Sequence, residues 1–333
     1  MASKKRITFQ PAGINITAET GENLLSAARR HGLAVRFGCR NGVCDLCQAS
    51  LIAGTLWDSR ADVARTPPAT FNLCRVDALS DLDIKAEEIM GAGQLPTLNV
   101  RCRVLDVTPI SDDVSRVRLE LPAHPVVRFH AGQYLAIELP GAEPAYFSIA
   151  SAPAARELEL HIQAGEDWDT AQNILDYLRR HGAVPVTLPY GRSCLAQVPA
   201  QPVVLIAAGT GFAQMKSVVE YLRANETVQP VVLYWGVRRL EDMYLRAMPE
   251  QWQADWASFT FVPVVKDDED NDWRGHHEQL VKAVLAAGHD WSNTLAMVSG
   301  SPAMVYTLMD ALLAAGMPAE HFLSDVLEYA PRD

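Results

Sequence analysis

The stretch Cys39-Arg-Asn-Gly-Val-Cys44-Asp-Leu-Cys47 decides the N-terminal part of this 333-residue chain, and Cys74 follows it after 26 further residues. These are four of the six cysteines, and they lie within 36 residues of one another. In a chain without secretion signals, such clustering indicates metal ligation and not a disulfide framework. Cys102 and Cys194 have no partner pattern, and we expect ordinary buried thiols at both positions.

The spacing of the four clustered cysteines resembles that of plant-type ferredoxins, which bind a [2Fe–2S] cluster through C-x4-C-x2-C and a distant fourth cysteine. Three thiolates then come from one tight loop, and Gly38 and Gly42 give that loop backbone freedom. A structural zinc site is the alternative, but zinc sites pair two short knuckles, and here the fourth cysteine stands alone. The predicted cluster ligands are Cys39, Cys44, Cys47 and Cys74.

Asp45 departs from the ferredoxin pattern, in which Gly or Ser usually stands between the second and third ligands. Aspartate tolerates left-handed backbone better than most residues, so the loop can still form. A carboxylate beside the cluster is expected to lower its reduction potential, because reduction adds negative charge.

Charge is distributed unevenly along the chain. Residues 1–93 hold 11 Lys/Arg and 10 Asp/Glu, whereas the remainder holds 18 and 30. An acidic C-terminal two-thirds argues against nucleic-acid binding, which requires neutralisation of phosphates. The sequence contains no apolar run long enough for a membrane span and no signal peptide at its start, so a cytoplasmic location is expected.

The first two parts of the chain differ in pattern. Two alternating strands, a helix and then the cysteine loop predict an α+β ferredoxin domain of the β-grasp type at 1–92, ending in the Gly/Pro-rich linker 90–96. Five short strands interrupted by one helix, residues 170–181, predict an all-β barrel at 97–199.

The third part, residues 200–333, alternates apolar strands with helices. The run 203–208 is uninterrupted and apolar, as expected of a strand buried on both faces of a parallel sheet. We therefore predict an α/β domain with a parallel sheet. The acidic run 267–272 is expected to be a solvated loop.

The whole chain resembles a family in which a plant-type ferredoxin domain precedes a ferredoxin–NADP reductase-like module. Oxygenase reductase components and CDP-deoxyhexose glucoseen reductases share this order. The resemblance implies that the barrel binds flavin (FAD), that the α/β domain binds NADH or NADPH, and that the chain is an NAD(P)H-dependent iron–sulfur flavoprotein oxidoreductase.

Three turns carry the nucleotide part of the resemblance. The first follows an apolar strand and opens a helix, where glycines let a pyrophosphate approach the backbone and the helix N-terminus favours the anion. It has Gln214 where the family has Pro, and the third turn has Ser299 where the family has Cys. Ser299 is predicted to touch the nicotinamide. The predicted nucleotide-binding residues are Gly209, Thr210, Gly211, Phe212, Gly236, Arg238, Gly300 and Pro302.

The flavin part of the resemblance is weaker, because Ala145 replaces the Arg that usually pairs with the flavin phosphate. Ser148 is retained, and in the family this hydroxyl contacts flavin N5. Tyr329 is a candidate lid on the flavin, with simple packing as the alternative. The predicted flavin contacts are Tyr146, Phe147, Ser148, His161, Ile162, Gln163 and Thr170.

These residues describe an electron relay from NAD(P)H through flavin to the [2Fe–2S] cluster and on to a partner protein, either an oxygenase or a deoxysugar dehydratase. Arg36, Arg40 and Arg75 surround the cluster loop, so the acceptor is expected to dock through an acidic patch. The alternatives are a flavin-deficient or regulatory electron-transfer module and a free-flavin reductase. NADH is weakly favoured over NADPH.

Overall fold

The structure of the protein, a computed structural model, describes residues 4–35, 37–86, 89–90, 95–153, 156–165, 168–266 and 278–332. By its internal contacts the chain divides into two units, Met1–Pro96 and Thr97–Asp333. Arg36, most of the predicted 90–96 linker and the acidic run 267–272 lie outside the described residues. The predicted boundary at 199/200 falls inside the second unit and stays a prediction.

The first unit is built on a mixed five-stranded sheet of order β2-β1-β8-β3-β6, in which β1 and β8 are parallel, with a small second sheet of order β5-β4-β7. Its one α-helix within the described residues, α1, buries Leu24, Leu25 and Ala28 against the same core, as their helical spacing predicts. Its elements are β1 (Lys5–Gln10), β2 (Ile14–Ala18), α1 (Leu24–Arg30), β3 (Gln48–Ala53), β4 (Leu56–Asp58), β5 (Val63–Arg65), β6 (Ala69–Asn72), β7 (Val76–Ala78) and β8 (Leu82–Lys85).

The second unit begins with an antiparallel six-stranded sheet of order β12-β11-β14-β9-β10-β13. Alternate residues of its strands fill one core, for example Val117 and Leu119 on one strand and Leu158, Leu160 and Ile162 on its neighbour. The elements are β9 (Leu98–Pro109), β10 (Val114–Glu120), β11 (Tyr134–Ile137), β12 (Ala145–Ser148), β13 (Glu157–Gln163), α2 (Asp169–Arg180) and β14 (Ala183–Tyr190). The predicted barrel is confirmed.

A five-stranded parallel sheet of order β17-β16-β15-β18-β19 completes the second unit. Successive residues of β15 enter two different cores, Leu205 on one face and Ile206 on the other, because helices cover both faces. The elements are β15 (Val203–Ala208), α3 (Phe212–Ala224), β16 (Val231–Val237), α4 (Ala247–Asp255), β17 (Phe259–Val265), α5 (Glu278–Ala286), β18 (Leu295–Ser299), α6 (Pro302–Ala314), β19 (Phe322–Leu323) and α7 (Val326–Tyr329). The predicted α/β domain is confirmed.

Two helices differ from expectation. The sequence pattern predicts a helix over 216–224, but helix α3 begins at Phe212, directly after the glycine turn. Helix α4 was not predicted at all, because Pro249 and Trp252 are its only buried residues and leave little apolar periodicity. Within the described residues, no helix combines the length and the apolar character that crossing a membrane requires.

Candidate functional site

Backbone N–H groups of the cysteine loop donate hydrogen bonds to the sulfur atoms of the same loop. The backbone N–H groups of Val43 and Cys44 each donate to Cys39 Sγ at 3.3 Å, and the Cys39 N–H donates to Cys44 Sγ at 3.5 Å. Hydrogen bonds from the backbone of Asn41 and Val43 lower the pKa of Cys39 to about 6. A thiol held near its thiolate form in this way is a competent metal ligand.

The four thiols lie as two pairs, Cys39 with Cys44 and Cys47 with Cys74, each pair close enough for its members to hydrogen bond. Among the residues that the structure describes, no group of three or more His, Cys, Asp or Glu side chains is arranged to hold one metal ion. The donor set is four cysteine thiols, three of them on one loop and the fourth after β6, and four cysteine thiolates are the ligands of a [2Fe–2S] cluster. The residues present therefore fit a [2Fe–2S] cluster.

The loop has the backbone that its sequence requires. Gly42 has φ +77°, and a Cβ there would lie 2.7 Å from Arg75 Cγ. Asp45 has φ 53°, which confirms the left-handed conformation expected of it, and its carboxylate accepts a hydrogen bond from Asn72 at 3.0 Å. The Gly42 carbonyl also accepts from Asn72 at 3.1 Å. Asn72 therefore ties the loop to the strand that precedes Cys74.

Two clefts of the second unit meet at strand β12 among the described residues. The large cleft, about 760 Å³, lies between the barrel and the glycine turn after β15, and the tyrosine cleft, about 640 Å³, is bounded by Tyr134, Tyr146, Tyr190 and Tyr329. Five residues line both clefts, and all five were predicted from the sequence: Tyr146, Phe147, Ser148, Ser299 and Gly300. We call these five residues the shared wall. It brings the flavin strand β12 next to the turn after β18.

The glycine turn is closely fitted to the shared wall. A Cβ on Gly211 would lie 2.5 Å from the Ser299 carbonyl oxygen, so no larger residue fits there. The indole N–H of Trp235 donates to the Gly209 carbonyl at 2.9 Å, and the Trp235 ring stacks on Phe212 with centroids 3.9 Å apart. Sequence reasoning missed Trp235, because it reads as an ordinary apolar residue of β16.

The structure also places Gln163, Gly209, Thr210, Gly211 and Arg238 along the large cleft. Other predicted contacts are placed elsewhere. The side chains of Ile162 and Phe212 are fully buried in the hydrophobic cores and reach neither cleft, because each lies on the inward-facing side of its element. A Cβ on Gly236 would lie 2.8 Å from Leu280 Cδ2, so that glycine makes room for α5. Thr170 and Pro302 are exposed in the first turns of α2 and α6, outside both linings.

His161 lines the large cleft but is itself buried in a polar network. Its Nε2 lies 2.8 Å from Glu159 Oε1 and its Nδ1 lies 3.0 Å from the Tyr244 hydroxyl. Burial lowers the pKa of His161, which favours the neutral form of the ring. Burial alone would raise the pKa of Glu159, but the His161 hydrogen bond and the Lys216 ammonium hold it at about 2. This network could not be predicted from the sequence, since Lys216 and Tyr244 are far from Glu159 and His161 along the chain.

Gln214, at the position of the family's Pro, joins three segments. Its Nε2 donates to the Gly132 carbonyl at 2.7 Å and to Asp325 Oδ2 at 2.8 Å, and approaches the Ser193 carbonyl at 3.4 Å. Asp325 lies at the floor of the tyrosine cleft, and its Oδ1 is buried without a hydrogen-bond partner. Burial, and then the charge of Glu328, raise the pKa of Asp325 to about 7.

The tyrosine cleft fits a flat aromatic ring system. Tyr134 and Tyr190 stack with centroids 5.7 Å apart, and Tyr146 meets both edge-on. Aromatic faces together with the hydroxyl of Ser148 are the surroundings expected for an isoalloxazine ring. Tyr329 is 63% exposed at the rim of this cleft.

The far end of the large cleft is rich in charge. Arg239 forms ion pairs with Glu241 at 2.5 Å and with Asp242 at 3.1 Å. Asp113 and Asp242 both line the cleft, next to Arg238. Arg239 is therefore already paired with carboxylates of its own chain, and a ligand would have to compete with them.

Two family models match the chain. Residues 7–78 match the 2Fe-2S iron-sulfur cluster binding domain, and residues 205–309 match the oxidoreductase NAD-binding domain. These matches cover the cysteine loop and the sheet that carries the glycine turn.

Similar proteins match over nearly their whole length. The reductase component 1 of terephthalate 1,2-dioxygenase from a Comamonas species is 26% identical over 98% of both chains. The CDP-6-deoxy-L-threo-D-glycero-4-hexulose-3-dehydrase reductase of Yersinia pestis is 27% identical over 96% of this chain and 97% of its own. The crystal structure of the Amycolatopsis cytochrome P450 reductase GcoB is 25% identical, with a TM-score of 0.64 over 96% of this chain and 98% of that chain.

Proposed function

We propose that the chain is an NAD(P)H-dependent flavin/[2Fe–2S] reductase in which a plant-type ferredoxin domain precedes a ferredoxin–NADP reductase-like module, and that it reduces a partner oxygenase or deoxysugar dehydratase. The observation that carries this proposal is the shared wall, on which the flavin strand and the turn after β18 border both clefts. The similarity to reductases of a dioxygenase and of a hexulose dehydrase supports the two partner classes.

Bound FAD, NAD(P)H and the [2Fe–2S] cluster supply the redox chemistry, namely hydride transfer followed by single-electron transfer. The protein binds and aligns these groups. Ser148 and Ser299 would present hydroxyls to the flavin and the nicotinamide from the two sides of the shared wall. Tyr329 would cover the open side of the flavin and exclude water. Gly209, Thr210 and Gly211 would present the N-terminus of α3 to the pyrophosphate.

The charges that line the large cleft favour NADH over NADPH as the substrate. The family resemblance puts the adenosine end at Arg238, where Asp113 and Asp242 also line the cleft and Arg239 is already paired. A 2′-phosphate there would face carboxylates and would find Arg239 neutralised. We expect Asp242→Ala to remove one carboxylate from the cleft, to leave Arg239 paired with Glu241 alone, and to raise kcat/KM for NADPH about two- to fivefold relative to NADH. An unchanged ratio would contradict this specificity.

The acceptor is expected to dock where the cluster reaches the surface. Cys39 and Cys44 are exposed, Val43 is 65% exposed, and Leu46 is 43% exposed. The guanidinium groups of Arg29 and Arg40 both lie 4.9 Å from the Phe37 ring centroid, beside this apolar tip. An apolar patch with cationic edges fits an acceptor with acidic edges. Acceptor reduction should therefore slow as salt rises, and a rate independent of salt would contradict this docking surface.

The test of the function is reduction of ferricyanide and cytochrome c by NADH, with and without added FAD. We expect both acceptors to be reduced by the intact protein. Cys74→Ser should abolish cytochrome c reduction while ferricyanide reduction continues, because ferricyanide takes electrons from flavin directly. Cys102→Ala, which removes a buried thiol of the barrel core, is the matched control and should leave both activities unchanged.

The same assay separates the alternatives. A regulatory or flavin-deficient module would reduce neither acceptor even with added FAD. A free-flavin reductase would show saturation with flavin as a substrate and no effect of Cys74→Ser. Either result would overturn the proposed electron relay.

A further inference from the structure

The ammonium group of Lys216 is an unusual feature of helix α3, because its side chain is only 4% exposed. Its Nζ lies 2.7 Å from Glu220 Oε1, 3.3 Å from Glu159 Oε1, and donates to the Ala150 carbonyl at 3.3 Å. Burying an ammonium carries a desolvation cost, and apolar side chains of similar volume usually stabilise a fold at least as well. The placement of this charge therefore indicates a role other than stability.

Two of the three partners of Lys216 lie on the flavin-binding barrel, whereas Glu220 lies one turn further along α3. Glu159 belongs to β13, and Ala150 follows the last residue of β12 by two positions. On the other side, Lys216 follows Gly211 by five positions on α3. Two extended residues span about 7 Å and five helical residues about 7.5 Å. Lys216 therefore connects strand β12 to the glycine turn, and only a few residues separate it from either element.

Two further contacts restrain the same segment of the barrel. The Ser217 hydroxyl donates to the Ser151 carbonyl at 2.8 Å, and the Ala152 N–H donates to Glu220 Oε2 at 3.3 Å. Lys216, Ser217 and Glu220 thus hold residues 150–152 against one face of α3. We call these three residues the α3 clamp. Because the clamp lies next to the shared wall, a change in its length would change the spacing between Ser148 and Gly211.

We propose that Lys216 is a positioning residue for hydride transfer, whose buried ammonium sets the distance between the nucleotide turn and the flavin strand. The inference rests on the proposed function. In the step concerned, NADH gives up a hydride, that is two electrons and one proton, and becomes NAD⁺, while the flavin is reduced by the same hydride. Such a transfer depends steeply on the separation of donor and acceptor, so a small shift of α3 slows it without weakening nucleotide binding.

The test is anaerobic stopped-flow reduction of the FAD-loaded protein by NADH, which separates the dissociation constant from the limiting rate constant. Lys216→Met keeps an unbranched side chain that is one heavy atom shorter, and removes the charge. We expect the limiting rate constant to fall at least about tenfold while the dissociation constant changes less than about threefold. Lys282→Met is the matched control, since Lys282 pairs with Glu278 on the exposed face of α5.

A spectroscopic readout accompanies the kinetics. Mixing the reduced protein with NAD⁺ should give a weaker long-wavelength charge-transfer absorbance in Lys216→Met than in the unmodified protein, because the two rings stack less closely. If Lys216→Met does not fold, the double variant Lys216→Met/Glu159→Gln also neutralises the less exposed of the two carboxylates that lose the ammonium. Ser217→Ala tests the clamp without touching charge. Both are expected to slow the limiting rate.

An unchanged limiting rate and charge-transfer band in Lys216→Met would overturn the proposal, and so would losses of rate and binding in the same proportion. These outcomes differ from failure of the proposed function. If NADH does not reduce the flavin of the unmodified protein, the function fails; if it does and the variant is unaffected, only the role of Lys216 fails.

Discussion

Asp45 places a carboxylate in the cluster loop at an exposed position, where it is fixed by its hydrogen bond from Asn72. A negative charge there disfavours the added electron of the reduced cluster. An exposed charge interaction of about 0.5–1 kcal/mol corresponds to about 20–40 mV for one electron. We expect Asp45→Gly to raise the midpoint potential of the [2Fe–2S] cluster by about this amount, as measured by a redox titration followed by electron paramagnetic resonance.

Asp62 is the control for this prediction, because it also combines a positive φ with an exposed carboxylate but lies outside the cysteine loop. Asp62→Gly should leave the potential unchanged. A potential that does not move in Asp45→Gly, or one that falls, would contradict the assigned effect of the charge.

Asp325 predicts a pH dependence of stability. Burial raises its pKa to about 7 from the ordinary 3.8, so the folded protein holds this proton more tightly than the unfolded chain does. The resulting stabilisation is complete below about pH 4 and is lost as the pH rises to about 7, at up to about 1.4 kcal/mol per pH unit. Asp325→Asn, which cannot ionise, should escape this loss.

Thermal unfolding at intervals from pH 4.5 to pH 8 measures the effect. The unfolding temperature of Asp325→Asn should rise relative to that of the unmodified protein up to about pH 7 and should then stay constant. Asp310→Asn is the control, since its ion pair with Arg332 lowers the pKa of Asp310 and should give no such trend in this range. Parallel curves for Asp325→Asn and the unmodified protein would contradict a raised pKa.

At the scale of elements, the turn between β15 and α3 depends on a residue of the neighbouring strand. Trp235→Phe keeps the stacking on Phe212 but removes the N–H that bonds the Gly209 carbonyl. Loss of such a bond costs about 0.5–1.5 kcal/mol. We expect the dissociation constant for NAD⁺, measured by titration calorimetry, to rise about 2- to 10-fold. Trp256→Phe, which alters a ring stacked on Phe259 instead, should bind NAD⁺ normally; equal dissociation constants in all three proteins would refute the role of Trp235.

Elements also show where sequence reasoning reaches its limit. The strands β10, β13, β15 and β18 could be predicted because each alternates or is uniformly apolar over its whole length. Gln214 could not be interpreted, since its three acceptors come from segments more than 20 residues away on either side. Phe212 and Ile162 were assigned to the cofactors on motif position alone, whereas core packing determines where their side chains point.

For the molecule as a whole, we expect flavin retention to be the weak step of the relay, because Ala145 stands where the family has an arginine. A charge-assisted bond from arginine to the flavin phosphate contributes about 1.5–3 kcal/mol, or about 10–100-fold in affinity. Arg116 on β10 is one source of compensation, because it lies opposite His161 and its Nε is buried without a hydrogen-bond partner. We nevertheless expect purified protein to lose FAD on gel filtration and to hold it more tightly as Ala145→Arg.

The measured quantities are the ratio of flavin to protein after gel filtration and the dissociation constant for FAD. Ala145→Gln, which adds bulk and polarity without charge, is the control and should resemble the unmodified protein. Full stoichiometric FAD in the unmodified protein without added cofactor would show that this chain does not need the missing arginine.

Some residues of the candidate site can be predicted from the sequence, and others cannot. The four cluster ligands and the shared wall follow from local motifs, because chemistry at those positions requires particular residue types at fixed spacing. The α3 clamp and the position of Asp325 in the tyrosine cleft arise from tertiary contacts between the barrel and the parallel sheet. Such contacts leave no periodic signal in a single sequence.

The contacts of α3 have a consequence for exchanging parts between related reductases. Gln214, Lys216 and Ser217 mostly bond backbone carbonyls of the barrel, those of Gly132, Ala150 and Ser151 among them. Carbonyl groups are present whatever side chains the barrel carries, so the recognition is encoded almost entirely in one helix. A chimera that takes α3 together with the nucleotide sheet should therefore assemble on a foreign barrel, provided that a carboxylate is supplied at the position of Glu159.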